Sequence, residues 1–393
     1  MRARRGLWDI EIAGGRVAGI TKSKGKSQFG TFDAGGRLVT EPFVVAHVHL
    51  DKVMTADRLT PDALSAYQRG RMDTKKSIRL AAKVKEGYSE ADILTRARPL
   101  VEGALQNGVA AMRAFADTDT LSELRAVRAL MTLRDEFSGR MLIQVVAFPQ
   151  EGIEADPGAE EYVEKAAEIG ADVIGGIPWI EKDKELQRRH IDKMFAVAKR
   201  HGKPIAMLVD DSGDPKLRTL EMLALKTIED GMFGRVQACH ARAMQVYPDS
   251  YARRVARLCS RAGIGLVSSP HTGPLHANIE LLRRSGVTVA LGQDDCSDAY
   301  YPFGRCSMLE VAFLASHILR MMIPADLEEL YDMITTNPAK IIGFGAGMIA
   351  KGEPANLVVL SERDITAALA VHGKPAAVIG SGRLLSGNEG AIA

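Results

Sequence analysis

The sequence predicts a closed (β/α)8 barrel carrying a small β domain formed from both chain ends, and three observations predict it. Eight short apolar runs punctuate the middle of the chain. From the second onward they recur about every thirty residues, the length of one strand plus one covering helix. The runs are continuously apolar rather than alternating, as expected of parallel strands covered on both faces. Glycine-rich segments of strand-like composition flank the array at both ends. A doubly wound open sheet is the alternative reading of the same alternation.

In chain order, IEIAGG, RVAGI and TFDAGGRLVT read as short strands turned at glycine pairs. The apolar runs follow: FVVAHV (43–48), VAAMRAF (109–115), MLIQVVAF (141–148), DVIGGI (172–177), PIAMLV (204–209), RVQAC (235–239), GIGLV (263–267) and VTVALG (287–292). Between them, segments such as SEADILTRARPLVEGALQNG and AEEYVEKAAEIG carry apolar residues at helical spacing and end in glycine, the residue suited to a left-handed C-cap. Helices are expected over 306–322 and 325–342, after the eighth run. ANLVVL and AAVIGSGRLL then return to strand character. The expected division is a barrel over 42–342 and a small β domain assembled from 1–41 and 343–393.

Composition narrows the function classes. Hydrophobic residues make up 46% of the 393 and charged residues 25%, which excludes a disordered or fibrous chain. The charge of +2, from 51 basic and 49 acidic residues without a long basic block, argues against nucleic acid as a partner. No run approaches the roughly 18 apolar residues that span a bilayer, so no membrane partner is expected. After the basic MRARRG, Asp9 and Glu11 interrupt any signal-peptide core. Cys239, Cys259, Cys296 and Cys306 have neither zinc-ligand spacing nor a disulfide pattern, which fits a reducing cytoplasm.

In a (β/α)8 barrel the chemistry gathers at the C-terminal ends of the strands. The first run ends in AHVHLDK, where His47 and His49, two apart on a strand, share a face and can bind one ion. The sixth ends in Cys239-His240 and the eighth in GQDDCSD, which places Asp294 and Asp295 at the mouth. A carboxylate there is costly to bury without a cation or donors; a helix N-cap is the plainer reading of Asp294. The fifth run ends in Asp210-Asp211, of which at most one can face an ion held by the histidines. Gln150, closing the third, has the donor and acceptor that read an amide-like ring edge, or is a solvated turn residue. RLAAKVKEG and LRRSG read as ordinary solvated helix faces, and His271 and His276, just beyond the seventh run, as loop histidines at the surface in preference to further candidate ligands. Large barrels commonly bury helix faces between subunits, which is compatible with a homo-oligomer.

EPFVVAHVHLDK, QVVAFPQEGI, GADVIGGIPWIE, QACHARAM and LGQDDCSDAYYPFG resemble the amidohydrolase superfamily, in its cytosine deaminase and N-isopropylammelide isopropylaminohydrolase branch. The likeness runs from about residue 8 to about residue 380. It implies one divalent metal ion (Zn, Fe or Mn) at the barrel mouth, activating water against a ring carbon of a small-molecule heterocyclic substrate. By that resemblance His47 and His49 are metal ligands, and Asp294 binds both the metal and the attacking water. His240 polarises that water, Asp211 takes the acid/base role, and Gln150 reads the ring. Two departures stand out. The family's fifth-strand histidine is Leu208 here, and a second-strand histidine is Phe115. His240 could become the third nitrogen ligand, or Asp210 could supply an oxygen. Two functions follow: a metal-dependent hydrolase of a non-peptide C–N bond, either a deaminase or a cyclic amide hydrolase, or a metal-free relative that binds a small molecule without catalysis.

Overall fold

The structure is a computed structural model that describes residues 6–25, 30–59, 74–345 and 348–387. The basic start, residues 1–5, and the last six residues lie outside the described residues. Eight parallel strands lie side by side in sequence order: Phe43–His49, Val109–Asp117, Leu142–Phe148, Val173–Gly176, Ile205–Val209, Val236–His240, Gly265–Ser268 and Val289–Leu291. Each matches one apolar run of the sequence. The sheet curls until its first and last strands meet. There the His49 amide donates to the Asp294 carbonyl (2.8 Å) and the Asp294 amide to the His47 carbonyl (3.0 Å), with a parallel bridge between Val48 and Asp294. The result is a near-closed barrel with helices outside, not an open doubly wound sheet.

Side chains alternate along the strands between two cores. Ala111, Phe115, Val146, Phe148, Ala206 and Leu208 fill the barrel interior. Met112, Ala114, Val145 and Met207 face the helices. One interior layer is polar, which the apolar runs do not suggest. Arg113 donates to Gln144 (Nε, 3.0 Å) and to Gln237 (Nη1, 2.7 Å), and Gln237 Nε2 donates to the Ala46 carbonyl (2.9 Å). Every buried polar group in this layer has a partner, as the low-dielectric interior demands.

Among the covering helices, Glu90–Gln106 is capped by the Ser89 hydroxyl accepting from the Asp92 amide. It ends at Gly108, where φ is +87° and a Cβ would come within 2.9 Å of Val358 and 3.1 Å of Phe43. Glycine is therefore required there for both conformation and approach. The helix expected over 325–342 is two helices, Pro324–Asp332 and Thr336–Ile342. The carbonyls of Met333 and Ile334 instead accept from the amides of Leu291 and Val44. A helix cannot continue through carbonyls committed to strand ends.

Val39–Thr40, Leu357–Val359, Ala377–Gly380 and Arg383–Gly387 form a small antiparallel sheet, so a strand before the barrel pairs with strands after it. The segment TFDAGGRLVT contributes two strand residues to it. The hairpin Trp8–Ala13/Arg16–Lys22 is a separate two-stranded sheet, tied to the C-terminal segment by Val17 N–H to Glu353 O and Ala355 N–H to Gly15 O, both 2.9 Å. A helix, Ile365–Val371, lies between the late strands. Among the described residues no helix is long and apolar enough to cross a membrane.

Candidate active site at the barrel mouth

The first barrel strand delivers His47 and His49, the sixth His240, and the turn after the eighth Asp294; all four are buried. Their reactive atoms converge. Asp294 Oδ1 lies 3.0 Å from His47 Nε2, 3.7 Å from His240 Nε2 and 3.9 Å from His49 Nε2. The rings of His49 and His240 each stand edge-on to His47, with centroids 5.0 and 4.9 Å away. His240 and Asp294 both hold φ near +70°, a conformation unfavourable for branched side chains that concentrates at functional sites.

Electrostatics suit a cation. Burial opposes ionisation of Asp294, yet His240, His47 and Arg242 together hold it well below the usual carboxylate range. Burial, then Lys52, push His49 well below the ordinary histidine value, and burial lowers His240. His47 is the exception: burial would depress it, but Cys239 and Asp294 raise it to about 10. His47, His49 and Asp294 offer ligand atoms within 4.8 Å of one another. Imidazole nitrogens gathered around one ionised carboxylate oxygen form a donor set that fits a divalent transition metal, with His240 as a further nitrogen.

The fifth strand behaves differently. Leu208 is buried in the interior cluster and supplies no ligand atom. Phe115 packs on His47 with ring centroids 4.3 Å apart and on Phe148 at 5.3 Å. Asp210 does not turn toward the histidines. Its oxygens accept from the amides of Thr219 (2.7 Å) and Leu220 (3.1 Å), the Thr219 hydroxyl and the Tyr247 hydroxyl. It secures the start of the helix Thr219–Glu229, and an oxygen ligand from Asp210 is thereby excluded. Asp211 turns to the mouth and meets Arg242 Nε at 2.7 Å.

Beside this cluster lies a narrow cleft lined among others by Lys52, Lys85, Asp117, Gln150 and Tyr300. Gln150 Oε1 accepts from Lys52 Nζ (3.1 Å), which also donates to Asp117 Oδ1 (2.8 Å). Lys85 reaches Asp117 Oδ2 (3.0 Å), Glu151 (2.9 Å) and Asp119. The solvated face read from RLAAKVKEG is thus corrected: Lys85 is 4% exposed because three carboxylates draw it inward. A second acidic group, His49, Asp51 and Asp117, adjoins the first, and the two ammonium groups occupy both Asp117 oxygens. The reading of His271 as a surface histidine is corrected as well. Its ring packs on Tyr301 (5.2 Å) and burial drives its pKa down to about 4; His276 is half-buried, its Nδ1 2.8 Å from the Ala277 carbonyl.

Strand-end reasoning did not find Lys52, Lys85 or Arg242. Lys52, directly behind the His-x-His-x-Asp element, carried a signal; Lys85 and Arg242 are recruited by tertiary charge.

The comparisons with known proteins agree with the fold. The chain is 28% identical to N-isopropylammelide isopropyl amidohydrolase of Pseudomonas sp. (strain ADP), over 98% of this chain and 95% of that one. It is 27% identical to pterin deaminase of Rhizobium rhizogenes, over 90% and 82%. The crystal structure of 5-methylcytosine deaminase from Klebsiella pneumoniae with 5-fluorocytosine superposes with a TM-score of 0.91 at 29% identity, covering 99% of this chain and 96% of that one. The model of the amidohydrolase family matches residues 30–384, through the whole barrel and into the last strand of the small sheet, and the chain belongs to that family.

Proposed function

We propose that the protein is a metal-dependent hydrolase of a C–N bond in a small nitrogen heterocycle, a deaminase or cyclic amide hydrolase. The observation that carries this reading is the convergence of three imidazole Nε2 atoms on Asp294 Oδ1 at the mouth of an amidohydrolase-family barrel. Members of that family use a divalent metal; here one ion, zinc, iron or manganese, would be held by His47, His49, His240 and Asp294. When bound, it supplies Lewis acidity that makes water nucleophilic near neutral pH.

The chain's own residues do the rest. Gln150 spends Oε1 on Lys52 and has its amide Nε2 to donate to a ring acceptor, which orients the substrate in the cleft. His240, its pKa lowered by burial, has one acceptor nitrogen to give: its Nε2 either completes the ion's shell or accepts a hydrogen bond from the attacking water, and the two roles exclude each other. Asp211 carries a proton to the leaving nitrogen, as general acid/base catalysis requires of a group within reach. Phe115, Phe148 and Leu208 make the adjoining wall apolar and exclude water.

The test is an ammonia- and amine-release screen of metal-reconstituted protein over aminopyrimidines, pterins, aminotriazines and cyclic amides, with ring opening followed by absorbance. Turnover by the wild type and none by His47→Ala supports the reading; metal-loaded protein inert toward every class overturns it. The buried, ligand-free Leu208 and the Phe115 ring against His47 favour a second reading, a metal-free small-molecule binder. Metal analysis separates the two. We further infer a cytoplasmic location from four buried free cysteines, no nucleic-acid partner from the balanced charge, one small β domain spanning 1–41 and 343–393, and a homo-oligomer, which light scattering would test.

A further inference from the structure

Where the fifth strand gives the site an apolar Leu208, the turn after the sixth gives it a cation. Arg242, two residues beyond His240, is 2% exposed. Its Nε lies 2.7 Å from Asp211 Oδ1. Its Nη2 donates to the Thr272 hydroxyl (2.9 Å) and lies 3.4 Å from Asp294 Oδ2. Asp294 therefore shows two faces: Oδ1 to the three imidazoles, and Oδ2 to the guanidinium and Thr272, whose hydroxyl is 2.8 Å away.

A guanidinium keeps its proton in proteins, so this positive charge is permanent. A divalent cation among His47, His49, His240 and Asp294 Oδ1 would share one carboxylate with it, in a buried setting where like charges are poorly screened. Asp211, on the other side of the guanidinium, is the matching negative charge.

We propose that Arg242 is a built-in competitor for the metal: it weakens divalent-ion binding at the barrel mouth and makes the bound ion exchangeable. The proposal rests on reading the four convergent residues as a metal site. It gives Arg242 and Asp211 opposite effects on affinity, which a merely structural pair would not have.

The experiment is zinc affinity by chelator competition for the wild type, Arg242→Met, Asp211→Asn and the double variant, with far-UV circular dichroism of each metal-free protein as a check on folding. Arg242→Met should bind zinc at least about tenfold more tightly, from the removal of a nearby like charge. Asp211→Asn should bind more weakly. The double variant, which removes one charge of each sign, should return to within about threefold of the wild type. Arg242→Gln removes the same charge while keeping a donor for Asp211, and substitutes if Arg242→Met unfolds. Unchanged or weaker binding without the arginine overturns the proposal and leaves the metal site standing. Zinc bound by none of the variants overturns the metal site and the proposal together.

Discussion

Lys85→Met tests whether the buried charge cluster holds the cleft together. The ammonium serves three carboxylates, and they do not lose equally. Asp119 keeps the amides of Leu121 and Ser122 on Oδ1 (3.1 and 2.7 Å), and Glu151, partly exposed, can turn to water. Asp117, fully buried, retains Lys52 on Oδ1 and loses its neighbour on Oδ2. Removing one partner of a buried ion pair typically costs about 3–5 kcal/mol, because the remaining charge stays desolvated. Lys52 offsets part of this, so the lower end, about 3 kcal/mol, is the expected loss. Equilibrium urea unfolding followed by fluorescence, with Trp179 buried beside the barrel, reads it directly. Adding Asp119→Asn, which removes a like charge from beside the uncompensated Asp117, should recover part of the loss. A change below about 1 kcal/mol, the value of an exposed ion pair, would refute the reasoning and mean that water or a side-chain shift resolves the charge.

His47→Ala should lose bound metal, as seen by elemental analysis, with its circular dichroism unchanged, since the barrel seam at this residue uses the backbone. Stability should also fall in acid because of His190, whose Nε2 accepts from the Ile177 amide (3.1 Å) while Nδ1 donates to Glu181 (2.8 Å). Burial holds His190 below its ordinary 6.5; at Glu181 the bonds from His190 and two amides outweigh burial and lower it from 4.5. Both folded values lie below the unfolded ones, so their stabilisation is full above pH 6.5 and is lost as pH falls from there through the carboxylate range; urea midpoints against pH should show this, and His190→Gln should flatten the upper part. Cytosine should be turned over poorly, with kcat/KM below about 10⁴ M⁻¹s⁻¹, and a more apolar or substituted cyclic amide, urea or amidine should be preferred. Phe115 and Leu208 cannot pair polar edges, and an apolar wall discriminates by only about 1–3 kcal/mol per methylene. Steady-state kinetics decide this.

The strands were legible because burial on both faces leaves an apolar run of fixed length, and each run matched one strand. The polar layer of Arg113, Gln144 and Gln237 was not, since each residue is a single polar position inside an apolar run and its partners come from other strands. The break between Pro324–Asp332 and Thr336–Ile342 was hidden for a similar reason: the carbonyls that end the first helix are claimed by strands distant in sequence. At the site, the rule that barrel strands end in chemistry brought His47, His49, His240 and Asp294 to one place. It did not find Lys85 or Arg242. A buried cation is chosen by the carboxylates around it, and neither its own segment nor its periodicity records them.

The barrel's seam has a consequence for how the site persists. First and last strands are laced through the backbone of His47, His49 and Asp294, and the lacing continues outward from Met54 to Cys296 and from Thr55 to Ser297; at the opposite end Met333 and Ile334 clasp Leu291 and Val44. The residues that would grip an ion are thus also the stitches that join the sheet to itself. Side chains there can be exchanged over evolutionary time while the stitching survives, but an inserted or deleted residue between 292 and 295 would unpick both at once. Thermal breathing at the seam would likewise scatter the ligands in one motion, so slow hydrogen exchange at the His49 and Asp294 amides would report an assembled site even with no substrate in hand.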